Sequence, residues 1–133
     1  MNMQKKTIVI LEDHPMMVMA LMTALRSWRK LGWQLILCQN QIAARRHKKA
    51  IASARVILLD RDCPIDEVNP DCHSGSFHHE IPEGSWSRTV SISGEKKWNL
   101  MAESRGARAI FEKDWSNPTH WAESIVAFVK EVI

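Results

Sequence analysis

The sequence has little cysteine, no long apolar run and almost no excess charge. Its three Cys, at positions 38, 63 and 72, form an odd and sparse set that builds no disulfide framework, which favours a reducing cytoplasm. The longest apolar stretch, Met16 to Met22, falls far short of the roughly 20 residues that span a bilayer, so no membrane association is expected. The start, Met-Asn-Met-Gln-Lys-Lys, is basic like the head of a secretory leader. However, the apolar run behind it stops at Glu12 and Asp13, and no small-residue cleavage site follows. Lys and Arg number 18 against 15 Asp and Glu, and a formal charge of +3 is too mild to imply nucleic acid by itself. Internal repeats, linkers and low-complexity segments are missing as well. What remains is a chain of 133 residues, 45% hydrophobic and 25% charged, which suits one domain with its own core. That composition excludes collagen-like and disordered chains.

Along the chain, short β-rich apolar runs alternate with helical stretches, as in an α/β sheet wound by crossover helices. Thr7–Leu11, Gln34–Cys38, Arg55–Asp60, Thr89–Ser93 and Ala107–Phe111 are the expected strands. Helices are expected from Pro15 to about Leu31, from Ile42 to about Ala54, from Glu95 to Arg105, and from Pro118 to about Ile133. Pro15 suits a first helical turn, and Gly32 a helix stop. Cys63 to Ser87 breaks the alternation: Pro64, Pro70, Gly75 and Pro82-Glu-Gly84 mark turns where a crossover helix should lie. An irregular loop with at most a short helical turn is expected there.

Acidic residues close two of the strands. Glu12 and Asp13 follow the first and Asp60 ends the third, and parallel strands bring their carboxyl ends to one crevice. Carboxylates gathered in this way repel one another unless a cation joins them, and a hard, oxygen-liganded ion such as Mg²⁺ is the natural occupant. The fourth strand brings the Ser93 hydroxyl to the same edge. The fifth brings Lys113, a movable point charge suited to phosphate or carboxylate.

This constellation resembles the receiver domain of two-component response regulators over nearly the whole chain. The matching stretches are Ile8-Val-Ile-Leu-Glu-Asp-His-Pro15, Val56-Ile-Leu-Leu-Asp-Arg-Asp-Cys-Pro64, Val90-Ser-Ile-Ser-Gly94 and Gly106-Ala-Arg-Ala-Ile-Phe-Glu-Lys113. The resemblance implies a doubly wound, five-stranded parallel sheet of flavodoxin-like type, with the third crossover helix largely replaced by the irregular loop. It also implies a single receiver-like domain over residues 1–133 without an output domain. By position, Asp60 would accept a phosphoryl group from the phosphohistidine of a histidine kinase or phosphotransfer protein. Asp13 and Asp60 would coordinate Mg²⁺ directly, Glu12 through water, and Asp62 through its main-chain carbonyl. Lys113 would pair with the phosphoryl group and Ser93 would bond one of its oxygens. No enzyme activity beyond the domain's own phosphorylation and dephosphorylation is implied, and the signal would pass by contact with a downstream protein. A homodimer through the fourth and fifth elements is compatible with this reading.

The sequence departs from the family at two places. Ile110 stands where an aromatic switch residue is usual, three before the lysine, and Phe111 should face the other side of the sheet. The 63–87 segment stands where a helix is usual. Two alternatives to the phosphoryl-accepting reading follow: a phosphorylation-independent pseudo-receiver that binds a partner constitutively, and a small Mg²⁺-dependent phosphohydrolase.

Other features have plainer readings. Cys63, Cys72-His73 and His78-His79 offer zinc ligands but match no standard spacing, so a polar surface loop is preferred. His14 is assigned to the site rim or to helix capping. Arg45-Arg-His-Lys-Lys49 reads as a solvated helix face, and without interleaved aromatics it disfavours direct nucleic-acid binding. Met16, Met17, Met19 and Met22 read as core, and Trp98, Trp115 and Trp121 as either an interface or buried packing.

Overall fold

A computed structural model describes residues 5–133, so residues 1–4 of the basic start lie outside the described part. Strand β1, Lys5–Leu11, lies inside the sheet, with β2, Gln34–Cys38, the edge strand, on one side and β3, Ala54–Leu59, the central strand, on the other. Two short strands pair separately as an antiparallel ribbon, β4 (Asp62–Cys63) with β5 (Gly75–Ser76). The main sheet then continues through β6, Thr89–Ser91, to β7, Ala109–Ile110. Its order is β2-β1-β3-β6-β7 with every pairing parallel. Counting only main-sheet strands, that is the 2-1-3-4-5 order of flavodoxin-like folds, as the sequence led us to expect. From Ile8 to Leu11 β1 is apolar without alternation because both of its faces are covered: Ile8 and Ile10 meet one core, and Val9 and Leu11 the other.

Helices α1, Pro15–Ala24, and α5, Pro118–Val132, cover the first face. Met17 and Leu21 of α1 pack with Trp121, Ile125 and Val129 of α5 over Ile8, Ile10, Val56 and Leu58. The expected helix to Leu31 stops early as an α-helix. A 3-10 segment, Arg26–Leu31, follows, in which Ser27 and Trp28 are weaker helix formers, and Gly32 ends it with a positive φ of 86°. Met16 and Met19 are exposed, and of the four clustered methionines only Met17 is fully buried.

Two short helices, α2 (Gln41–Arg46) and α3 (Lys48–Ser53), replace the single second helix expected. The break at His47 falls inside the basic run, where Arg45, Arg46, Lys48 and Lys49 place like charges three and four residues apart. These side chains are exposed, as a solvated face should be. They lie on the second face of the sheet together with α4, Lys96–Ser104, and the 62–88 segment.

That segment is the main correction to the sequence reading. As expected it holds no α-helix, but it is not the polar surface loop anticipated. After the ribbon come two 3-10 turns, Phe77–Glu80 and Glu83–Arg88, and Phe77, Ile81 and Trp86 are buried against Val9, Leu11, Ile57 and Leu59. Pro64, Pro70 and Pro82 rule out a continuous α-helix, and large side chains fill the space a helix would take. Gly75 is required in the ribbon because a Cβ there would lie 2.9 Å from the Cys63 carbonyl oxygen. No helix among the described residues is long and apolar enough to cross a membrane.

Candidate phosphoryl-acceptor site

Backbone pairing sets the floor of the site. The Glu12 N–H donates to the Cys38 carbonyl and the Asp60 N–H to the Leu11 carbonyl, so the ends of β2, β1 and β3 are tied level. The carboxylates of Glu12, Asp13 and Asp60 offer oxygens that all lie within 4.8 Å of one another. Glu12 is fully buried, and its Oε2 accepts the N–H groups of Asp13 and His14. Lys113, on the stretch after β7, reaches back to the acids. Its Nζ donates to Asp60 Oδ2 at 2.8 Å and lies 2.7 Å from Glu12 Oε1.

Electrostatics follow from this crowding. Burial, reinforced by the Asp60 charge, pushes the Glu12 carboxyl up to about 8 even with Lys113 opposing. Burial also raises Asp13, against the pull of His73. For Lys113, burial works to lower the pKa, but the two carboxylates outweigh it and hold the ammonium above its usual range. Even with the Glu12 carboxyl protonated, Asp13 and Asp60 outnumber the one buried ammonium and leave an excess of negative charge on oxygen donors. That set fits a hard divalent cation, as the sequence anticipated. Asp62 lines the same cavity, and its side chain pairs with Arg61 at 2.7 Å. Because the Phe77 N–H donates to the Arg61 carbonyl, Asp62 and Ser76 form a non-hydrogen-bonded pair. The ribbon therefore leaves the Asp62 carbonyl out of its ladder.

Ser93 lies two residues beyond β6, at the cavity wall. Its backbone is clamped by Asn99 of α4, whose Oδ1 accepts the Ser93 N–H while its Nδ2 donates to the Ser93 carbonyl. Ser91 Oγ donates to the same Asn99 Oδ1. The sequence reading missed Asn99; its only signal was a polar residue on the inward side of an amphipathic helix.

His73 was also misplaced by the sequence reading. The ribbon carries it to the cavity, where Nε2 lies 3.3 Å from Asp13 Oδ2. Cys63 and His78 are buried while Cys72 and His79 are exposed, and no three of these Cys and His ligands come together among the described residues. The zinc alternative has no cluster to rest on. His14 stands at the rim as expected, but its side chain makes no capping bond. The tryptophans divide: Trp121 is buried and donates to the Phe111 carbonyl, Trp98 lies under the Arg61 guanidinium, and Trp115 is half-exposed at the cavity mouth. Ala109 and Phe111 face the α1/α5 core, which places Ile110 on the opposite side of β7.

No protein-family model matches the sequence, and no curated protein does. Solved structures are similar in fold. A phosphorylated cyanobacterial phytochrome response regulator, RcpA, superposes with a TM-score of 0.69 at 13% identity, over 96% of this chain and 95% of that one. A response regulator receiver domain from Rhodospirillum rubrum gives 0.68 at 16% identity with the same coverage. The response regulator TrrA from Thermotoga maritima, in complex with Mg²⁺-BeF, gives 0.59 at 12% identity, over 96% and 98%. The chain therefore has the receiver fold.

Proposed function

We propose that the protein is a phosphoryl-accepting receiver that takes its phosphoryl group on Asp60 from the phosphohistidine of a histidine kinase or phosphotransfer protein. The observation that carries this reading is the buried Lys113 ammonium, held 2.8 Å from Asp60 Oδ2 and 2.7 Å from Glu12 Oε1 at the closed end of an acidic cavity. A lysine in that position serves an anion larger than a carboxylate once Asp60 is converted to its acyl phosphate. Glu12, Asp13 and Asp60, with the Asp62 main-chain carbonyl, would hold Mg²⁺, which would offset negative charge between the attacking carboxylate and the phosphoryl oxygens. Asp60 supplies the attacking oxygen, and Lys113 follows the charge from the carboxylate to the phosphoryl group. The Ser93 hydroxyl offers a proton to one phosphoryl oxygen, and a shift of Ser93 is felt by Asn99 and so by α4. In this reading the chain works in the cytoplasm, passes its signal by contact with a downstream protein, and is no enzyme beyond its own phosphorylation cycle.

A second reading, a pseudo-receiver that binds its partner without phosphorylation, draws on two features. Ile110 lacks the aromatic ring usual there, and His73 Nε2 stands 3.3 Å from Asp13 Oδ2, where a metal-bound partner would otherwise lie.

The two readings separate in one experiment: intact mass after incubation with Mg²⁺ and acetyl phosphate, beside an Asp60→Asn variant. A single adduct of about 80 Da that the variant lacks is the expected result. If there is no adduct and no Mg²⁺ binding, the pseudo-receiver reading replaces it.

A further inference from the structure

The cavity grades from buried groups at its floor to open aromatics at its mouth. Glu12, Asp60 and Ser93 are almost fully buried, whereas Trp115 keeps 51% of its surface exposed and the His73 side chain 48%. In spite of that exposure, Trp115 is held on three sides. Its indole packs on Gly94, where even a Cβ would come within 3.3 Å of Cζ2. The His14 ring meets it edge-on at 4.9 Å and 73°, and the Lys113 ammonium lies 5.5 Å from its centroid. The His14 Nδ1 atom is buried and has no hydrogen-bond partner among the described residues. An aromatic ordered in advance, with half its surface still open, binds a flat guest at low ordering cost.

We infer that Trp115 is a stacking platform for the leaving group of the phosphodonor, an imidazole ring, and thereby biases the cavity toward phosphohistidine over acyl phosphates. The inference rests on the phosphoryl-accepting reading above. In an in-line displacement the leaving group lies across phosphorus from the attacking atom. With Asp60 at the floor, that position is the mouth. A P–O bond forms to the Asp60 carboxylate as the P–N bond to the ring breaks. The bonding pair stays on the ring nitrogen, which takes a proton from water, and neutral imidazole departs past Trp115. The cavity, about 270 Å³, suits a phosphoryl group with one five-membered ring and is small for a nucleotide.

Two small donors that differ only in their leaving group provide the test: N-phosphoimidazole and acetyl phosphate, with Asp60 labelling followed by intact mass in Mg²⁺. Stacking of the size found for aromatic pairs predicts that the ratio of the two labelling rates falls about three- to ten-fold in Trp115→Ala. Trp115→Leu, which keeps apolar cover over Gly94 but has no aromatic face, should lose the ratio in the same way, and Trp115→Phe should keep most of it. Any general disturbance of Lys113 affects both donors and cancels in the ratio. Labelling by both donors with an unchanged ratio in the Ala and Leu variants would overturn the platform and leave the receiver reading intact. Failure of both donors on the unaltered protein would overturn the two together.

Discussion

On one face of the sheet, α1 and α5 lay periodic apolar stripes over Ile8, Ile10, Val56 and Leu58. On the other, two short helices, α4 and an irregular segment share the task, with Phe77, Ile81 and Trp86 supplying bulk where a crossover helix would normally run. Burial of β1 is equally complete on the two sides: Ile8, Val9, Ile10 and Leu11 all have no exposed surface. A sheet needs apolar volume against it, and a few large side chains on a proline-broken segment provide that as well as a helix does. The difference lies in what each cover leaves free to vary. A helix spends its residues on repeat positions, whereas the irregular cover makes a ribbon whose turn brings His73 to the Asp13 carboxylate.

If the irregular cover is core in the full sense, truncating it should cost as much as truncating the helical one. Phe77→Ala should lower unfolding free energy by about 3–5 kcal/mol, a loss comparable to that of Leu21→Ala on the opposite face. Denaturant melts of the two variants make the comparison, and a Phe77→Ala loss under about 1 kcal/mol would mean the segment only rests on the sheet.

The irregular side also carries a pH dependence. His78 is buried edge-on to Trp86, and neither ring nitrogen has a hydrogen-bond partner among the described residues. Burial first, then Arg61 and Arg105, pushes its pKa down from the usual 6.5 to about 4, with Asp60 and Asp62 pulling the other way. A depressed folded-state value means the unfolded chain binds the proton more tightly. The contribution is therefore fully present above pH 6.5 and is lost as the pH falls from there toward 4, by up to about 3 kcal/mol. Stability measured from pH 7.5 to 4.5 should fall more steeply in the native chain than in His78→Met. Parallel curves would show that His78 plays no part.

A smaller effect is expected at the ribbon. Gly75→Ala puts a methyl group against the Cys63 and Pro64 carbonyls and the Gln41 side chain, and overpacking of this kind costs about 1–3 kcal/mol. Hydrogen exchange would sharpen the comparison, because protection should drop in 62–80 and hold in α1 and α5.

Much of the site was legible before the fold was known. Glu12, Asp13, Asp60, Ser93 and Lys113 each lie at or just beyond a recognisable strand, and parallel strands send their carboxyl ends to one edge. Local pattern therefore carried long-range information, as the receiver resemblance had implied for these five residues. The splitting of the second helix was legible in principle from the like charges around His47, which were read as a solvated face of one continuous helix.

Residues whose placement depends on distant partners were not legible. Asn99 acquires its role by clamping Ser93, Trp115 by resting on Gly94, and His73 because a ribbon held by Gly75 turns it inward. Phe77 and Trp86 carry no periodic signature, so nothing nearby in the chain distinguishes them from surface loop residues. The sequence by itself determined the five strands of the main sheet and the acidic edge, since these depend on apolar runs and on residues adjacent in the chain, and the receiver resemblance added the order of the strands. Only the tertiary structure decided how the second face is sealed and what stands at the mouth of the cavity, because those contacts join segments that no local pattern relates.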